Sequence, residues 1–470
     1  MREQFLSRRR LLAAGAALTT TISACAAPSG GTGGPELAGR RAEPVSLTYW
    51  KSLSGPRHEA QARLVEAFNA QRGDVRVSME HVGEYGPAAD KLRLALAGGT
   101  PPDVMLLGAN TEMPYFARLG VLQELDGFAR GAGGARGDAL DGLYPGFVRD
   151  SRFACTGTSS GAGSAAGTGD ACPHPDGALH QLPFARSTPL LYANLDLLRS
   201  AGLPETLPAT WPDFLETAQH LLHHTRRSGA EDSALSTVHS ALAYGAGNSW
   251  WEFQSALWAF GGAFSDARRV ARIGEPASVR AVQFLADLVH RHRVALATKN
   301  APAEFLRGNI AFLTTSTANL TQLVDGASFR VGVAPPPGMS GREAAVPGGG
   351  AGLSILRPVA RRAREKAWEL LTFMTSTEST AFFAQATGYT PVRPAAMESP
   401  ALSGFLERYP AARVALAQQD RVRTADAVLA APGVNTLIQD ALQAVLFEGA
   451  AVPATCDALA TALKRAAEQS

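Results

Sequence analysis

The chain has 470 residues, with 44 basic and 42 acidic side chains, and a formal net charge of +2 gives it no field that would gather nucleic acid or an anionic membrane surface. Its 46% hydrophobic content is that of an ordinary globule, and its length allows two sizeable cores, since one domain usually takes on the order of 150 residues. Beyond the first residues no apolar run reaches the roughly 20 residues that cross a bilayer as a helix.

The first segment carries export signals. Ser7-Arg8-Arg9-Arg10-Leu11-Leu12 is a basic patch that runs into the apolar stretch Leu11–Ile22, which has the size of a signal-peptide core. The paired arginines point to the twin-arginine route. Ile22-Ser23-Ala24-Cys25 resembles a bacterial lipobox, in which small residues before the cysteine admit the signal peptidase and leave the thiol free for a diacylglyceryl group. Residues 1–25 therefore read as a lipoprotein signal peptide with Cys25 as the lipidated residue. Residues 26–44, rich in Ala, Pro, Ser and Gly, read as a flexible tether.

The globule opens with Val45-Ser46-Leu47-Thr48-Tyr49-Trp50, an alternating run that predicts a strand. Leu64, Ala67 and Phe68 have helical spacing, Val75–Met79 predicts a second strand, Ala88–Ala97 a helix and Asp103–Leu107 a buried strand. Strands alternating with helices imply an α/β layer with a mostly parallel sheet. The alternation resumes with a strand at Leu190–Tyr192, helical patterns over Leu195–Ala201, Trp211–His224, Trp251–Phe260 and Ala277–His290, and strands at Ile310–Leu313 and Phe329–Val333. The C-terminal third is helical, with Thr375 and Glu378 spaced as a capping box for a helix that ends before Gly388. Two such units imply two lobes with a cleft between them, where small ligands usually bind.

Cys155 and Cys172 bracket a Gly/Ser/Ala/Thr-rich loop outside the cytosol, so they are expected to form a disulfide that closes the surface insertion 154–180. Such a loop closure contributes about 3 kcal/mol in the chain-entropy model. Cys456 is expected to be a packed small hydrophobe. Gly157-Thr158-Ser159-Ser160-Gly161 matches a nucleophile elbow, but that turn needs a strand before it and a helix after it, and here it sits in low-complexity sequence. His220, His223 and His224 share a helix face without an acidic partner, which suits a solvated helix end better than a metal. The run Gly348-Gly349-Gly350-Ala351-Gly352 stands before Leu353–Leu356; bare backbone there lets a ligand approach and offers N–H donors.

Several segments together resemble the extracellular solute-binding proteins of ATP-binding-cassette importers, and within them the glycerol-3-phosphate and glycerophosphodiester branch. They are Leu182-Pro183-Phe184-Ala185-Arg186-Ser187-Thr188-Pro189-Leu190-Leu191-Tyr192-Ala193-Asn194, Trp258–Asp266, the glycines from Gly349, and Thr387-Gly388-Tyr389-Thr390-Pro391-Val392. The resemblance implies the two-lobed periplasmic-binding-protein fold of type II, each lobe a mixed, mostly parallel sheet flanked by helices. Residues 45–153 plus 308–345 are expected in one lobe and 181–307 plus 346–470 in the other. It implies a small polar solute as ligand, permease transmembrane subunits as partners, no cofactor or metal, no nucleic acid, membrane contact through the lipid anchor alone, a monomeric chain and no enzymatic activity. An oligosaccharide or polyol is the alternative cargo.

By the same resemblance Tyr85, Asn110, Ser187, Trp251, Ser316, Thr317, Gly349, Gly350 and Tyr389 are expected to line the ligand cleft. Two departures stand out. The branch has a carboxylate just after the strand at Val104–Leu107, where this chain reads Gly108-Ala109-Asn110, and an arginine late in the chain, where this chain reads Thr424–Ala430. Arg186, Arg421 and Arg423 are the candidate phosphate partners in its place.

Overall fold

The computed structural model describes residues 43–131, 139–153, 177–228, 240–245, 249–357 and 359–469. Cys25, Cys155, Cys172 and Ser159 lie outside them, so the lipidation, disulfide and nucleophile-elbow readings do too. Among the described residues no helix is long and apolar enough to cross a membrane, no acid–histidine–cysteine cluster could hold a metal, and Cys456 is buried and free.

Alternation sets the first sheet. In Val45–Lys51 the side chains of Leu47, Tyr49 and Lys51 turn inward while Ser46 and Thr48 face solvent, so this strand covers one core and pairs in parallel with Val75–His81. Val104–Gly108 is buried throughout, as a central strand must be. The sheet order is Val75–His81, Val45–Lys51, Val104–Gly108, Gly349–Ile355, Leu182–Ser187, with Gly349–Ile355 antiparallel to both neighbours. Helices Pro56–Ala70 and Arg361–Met374 bury Leu64, Val65, Phe68, Leu370 and Leu371 against it.

The second sheet runs Val331–Ala334, Pro189–Asn194, Ile310–Ser316, Ser240–Gly245, Ala295–Thr298. Its larger core is closed by Trp211–Ser228, Ser249–Ala259, Pro276–His290 and the two C-terminal helices Val434–Glu448 and Val452–Glu468. On Trp211–Ser228 the apolar stripe Phe214, Ala218, Leu221 faces this core, which leaves His220 and His223 exposed.

The strand pairing differs from the expected lobe division. Ile310–Ser316 is flanked by Pro189–Asn194 and Ser240–Gly245 in the second sheet, and Gly349–Ile355 lies in the first. The strands of 308–345 therefore lie in the second sheet, and Leu182–Ser187 and Gly349–Ile355 lie in the first, against that expectation. Ile310–Leu313 is covered on both faces and needs a partner strand on each edge, and the place where the chain crosses puts Pro189–Asn194 on one of them. The first crossing of the chain falls at Thr188, the single residue between Leu182–Ser187 and Pro189–Asn194. Thr317 clamps it: the Thr317 N–H donates to Thr188 O at 2.9 Å and the Thr188 N–H to Thr317 Oγ1 at 3.3 Å. A buried Gln418 amide donates to Pro189 O at 3.0 Å. The helix Thr377–Thr387 packs on both cores, Phe383 on the first and Ala381 and Ala384 on the second. It is capped by Ser376, whose Oγ accepts from the Ser379 N–H at 3.2 Å, not by Thr375, whose hydroxyl turns back to Leu371 O. Gly388 ends it in the left-handed region at φ 77°, as the sequence predicts.

Candidate ligand-binding cleft

A cavity of about 460 Å³ opens between the two sheets, at strand ends and helix starts contributed by both. The glycine run forms its floor. Gly349 pairs with Ser187 in the first sheet, and a Cβ on Gly349 would lie 2.3 Å from the Trp251 indole and 3.0 Å from Ser187 Oγ. Gly350 has φ +81° and its missing Cβ would fall 1.8 Å from Ala185 O, so only glycine fits. The carbonyl of Gly348 accepts from both sides of the cleft, from Asn110 Nδ2 at 2.6 Å and from Trp251 Nε1 at 3.3 Å. The Gly350 carbonyl accepts from the Ala109 N–H at 3.0 Å.

The first-sheet wall is a strained loop and two helix starts. Leu53 is buried with φ 76°, a backbone that a bulky residue rarely adopts. The buried ammonium of Lys51 donates to the Leu53 carbonyl and fixes that turn; burial pushes the Lys51 pKa down to about 8 against the pull of Glu84. The turn delivers Arg57 to the cavity from the first turn of Pro56–Ala70. Tyr85, the first residue of Tyr85–Ala97, faces it beside Tyr389. The Tyr85 hydroxyl is buried without a hydrogen-bond partner in bonding geometry among the described residues, although Tyr389 is near enough to act on its proton. Burial raises both phenols, and the nearby Arg57 opposes this.

Three carboxylates reach the cavity: Glu84, Glu112 and Glu252. Glu112 stands one turn beyond the place where the sequence lacks an acid. It occupies the space that Gly108 leaves open, since a Cβ on Gly108 would lie 2.1 Å from Glu112 Oε2, and the Thr111 hydroxyl donates to it. Burial raises its pKa. Across the cleft Glu252 follows Trp251 on Ser249–Ala259; burial pushes its pKa from 4.5 up to about 8 against the pull of the nearby Thr315. A raised carboxyl means that the folded state keeps a proton the unfolded chain has already released. Stability is thus undiminished by Glu252 below about pH 4.5, and declines as pH rises towards about 8. Glu252→Gln is expected to flatten that decline in melting temperature across this window. Superimposable profiles for the two proteins would show that Glu252 does not titrate in this way.

Tyr85, Asn110, Ser187, Trp251, Ser316, Gly349, Gly350 and Tyr389 come together around the cavity. Thr317 does not line it: the residue is fully buried on the Thr188 crossing. None of the three candidate arginines lines it either. Arg186 is fully buried and bonded to Asp150 at 2.6 Å. Arg421 pairs with Glu343 at 3.0 Å, and Arg423 lies 4.6 Å over the Trp258 ring, near Asp426. Each is held by an acid or a ring outside the cleft. Arg57, Glu112 and Glu252 were not foreseen from the sequence. Arg57 follows a Gly-Pro helix start and Glu112 follows the strand-end Gly108, and those were the signals available.

Two sheets joined by crossing strands, with a polar cavity where the crossings meet and bare glycine backbone on its floor, define a two-lobed receptor for a small solute. The family model for bacterial extracellular solute-binding proteins matches residues 63–414, and the chain belongs to that family. Members of it bind small solutes and work with the permease subunits of ATP-binding-cassette importers; they are not enzymes. The sn-glycerol-3-phosphate-binding periplasmic protein UgpB of Agrobacterium fabrum is 25% identical over 381 residues, 80% of each chain. UgpB from Mycobacterium tuberculosis, solved in complex with glycerophosphocholine, is 29% identical with a TM-score of 0.74, over 90% of this chain and 98% of that one. The maltose-bound MalE3 of T. maritima, 23% identical with a TM-score of 0.70, shares the fold.

Proposed function

We propose that the chain is the solute receptor of an importer and that its cargo is glycerol-3-phosphate or a glycerophosphodiester. The observation that carries this is the make-up of the cavity: one guanidinium, Arg57, with neutral donors from Ser187, Tyr85, Tyr389 and the glycine backbone, faces the indoles of Trp250 and Trp251. Hydroxyl and backbone donors hold phosphate oxygens, a guanidinium adds a charge-assisted bond, and indole faces take glycerol carbons or a cationic head group. The relatives that bind sn-glycerol-3-phosphate and glycerophosphocholine support the same cargo class. In this reading the chain is exported by the twin-arginine route and anchored through Cys25 at the cell envelope, in the periplasm or on the outer face of the cytoplasmic membrane. It works there as a monomer on the tether of residues 26–44. Calorimetry on purified, ligand-stripped protein tests the cargo: heat with either phosphorylated ligand is expected. Silence with both, alongside clear binding of a sugar, would sink it.

One observation favours a second reading. Glu84, Glu112 and Glu252 outnumber the single guanidinium in the cavity, and carboxylates accept from the hydroxyls of an oligosaccharide or polyol stacked on an indole. That reading is wrong if tight binding disappears when the phosphate is removed from the ligand.

A further inference from the structure

Arg57 is the one cationic side chain lining the cavity among the described residues. Among the described residues no carboxylate forms an ion pair with it, although Glu84 and Glu112 line the same cavity. Its Nη2 donates at 3.3 Å to Ala318 O and at 3.5 Å to Asn319 Oδ1, two neutral acceptors at the turn that follows Ile310–Ser316. Its guanidinium carbon lies 5.5 Å from the centre of the Tyr389 ring. Beside it the Tyr85 hydroxyl is buried without a partner in bonding geometry among the described residues. A guanidinium fork whose hydrogen bonds among the described residues are long ones to neutral oxygens gives them up readily to an anion, whose bonds to it are shorter and about twice as strong.

We propose that Arg57 is the residue that selects an anionic cargo in this cleft, exchanging its bonds to Ala318 and Asn319 for the phosphate group, with the Tyr85 hydroxyl donating to the same group. This places the anion against the start of Pro56–Ala70 in the first lobe, and leaves Trp250, Trp251 and Glu252 for the uncharged or cationic remainder. The assignment rests on the reading that the cargo is phosphorylated. It goes beyond that reading by naming an arginine that neither the sequence candidates nor the late segment Thr424–Ala430 supplies.

The test uses the full chain stripped of ligand, titrated calorimetrically with glycerol-3-phosphate and with glycerophosphocholine, with melting curves to confirm folding. Arg57→Met removes the charge and keeps the stem. It is expected to weaken both ligands by on the order of 30-fold, the equivalent of about 2 kcal/mol. It should also remove most of the weakening that added salt causes in the parent protein. Arg57→Lys keeps the charge without the fork, and is expected to fall between the two and to retain the salt dependence. A residue that merely positions the lobes would give equal losses for methionine and lysine with an unchanged salt response, and that result overturns the proposal. So does binding by Arg57→Met within about threefold of the parent. Should Arg57→Met fail to fold, Arg57→Lys decides alone: an affinity unchanged from the parent, or a lost salt response, rejects the fork and the charge respectively. If the parent binds neither phosphorylated ligand, the cargo reading itself has failed. If the parent binds and only the Arg57 comparison fails, the cargo reading stands without this arginine.

Discussion

Gly349→Ala is expected to weaken ligand binding by 100-fold or more, about 2.7 kcal/mol, while the protein still folds. The methyl group would sit 2.3 Å from Trp251 Cζ2, 2.7 Å from Cε2 and 3.0 Å from Ser187 Oγ. The backbone cannot retreat, because Gly349 is paired with Ser187 and Gly350 with Arg186 in the first sheet. The indole must therefore swing away, which breaks its bond to the Gly348 carbonyl and dismantles the aromatic wall. Overpacking of this kind costs about 1–3 kcal/mol of stability, enough to lower the melting temperature and too little to unfold a domain of this size. Gly350→Ala is a different case. Its φ of +81° and a clash of 1.8 Å with the main-chain oxygen of Ala185 leave nothing flexible to move, so loss of the folded protein is expected. Titration of both variants beside their melting curves separates the two effects. Gly349→Ala binding within about threefold of the parent would show that the indole wall contributes little.

The fold was legible because burial patterns repeat in the sequence at the period of the elements that carry them. Leu47 and Tyr49 alternate with polar residues, and Phe214, Ala218 and Leu221 recur at helical spacing. That Ile310–Ser316 belongs to the second sheet, and Leu182–Ser187 and Gly349–Ile355 to the first, was not legible, since an apolar run such as Ile310–Leu313 suits the centre of either sheet and pairing depends on where the chain crosses. In the cleft the glycines, Ser187, Trp251 and Tyr389 were visible through shared motifs. Charges were not. Arg186 adjoins Ser187 in sequence, yet alternation along the strand sends its side chain to the opposite face, into the core. Arg57 and Glu112 reach the cavity only through local backbone features, the left-handed turn at Leu53 and the missing side chain at Gly108. Neither has a periodicity to announce it.

The buried position of Arg186 makes Asp150 the most consequential single charge outside the cleft. The two side chains are 0% and 1% exposed and 2.6 Å apart. The guanidinium carbon lies 4.9 Å from the Phe147 ring centre, and Arg186 Nε and Nη1 have no hydrogen-bond partner among the described residues. Asp150→Ala leaves that cation buried and uncompensated, and truncating one partner of a buried pair costs about 3–5 kcal/mol. Replacing both partners with apolar residues of similar volume is often neutral, so Arg186→Met in the Asp150→Leu background is expected to recover most of the loss. Denaturant unfolding of the three proteins checks this: a single-variant loss under about 1 kcal/mol would mean that solvent reaches the guanidinium. The pair also bears on binding. Asp150 Oδ2 sits where a Cβ on Gly348 would be, at 1.9 Å. The Arg186 carbonyl accepts from Thr390 N–H at 2.9 Å, next to Tyr389, and Ser187 follows it in the chain. A guanidinium seeking water in Asp150→Ala therefore drags on the glycine floor, Ser187 and Tyr389 together. The affinity of the folded fraction is expected to fall with the stability, and to return with the double replacement.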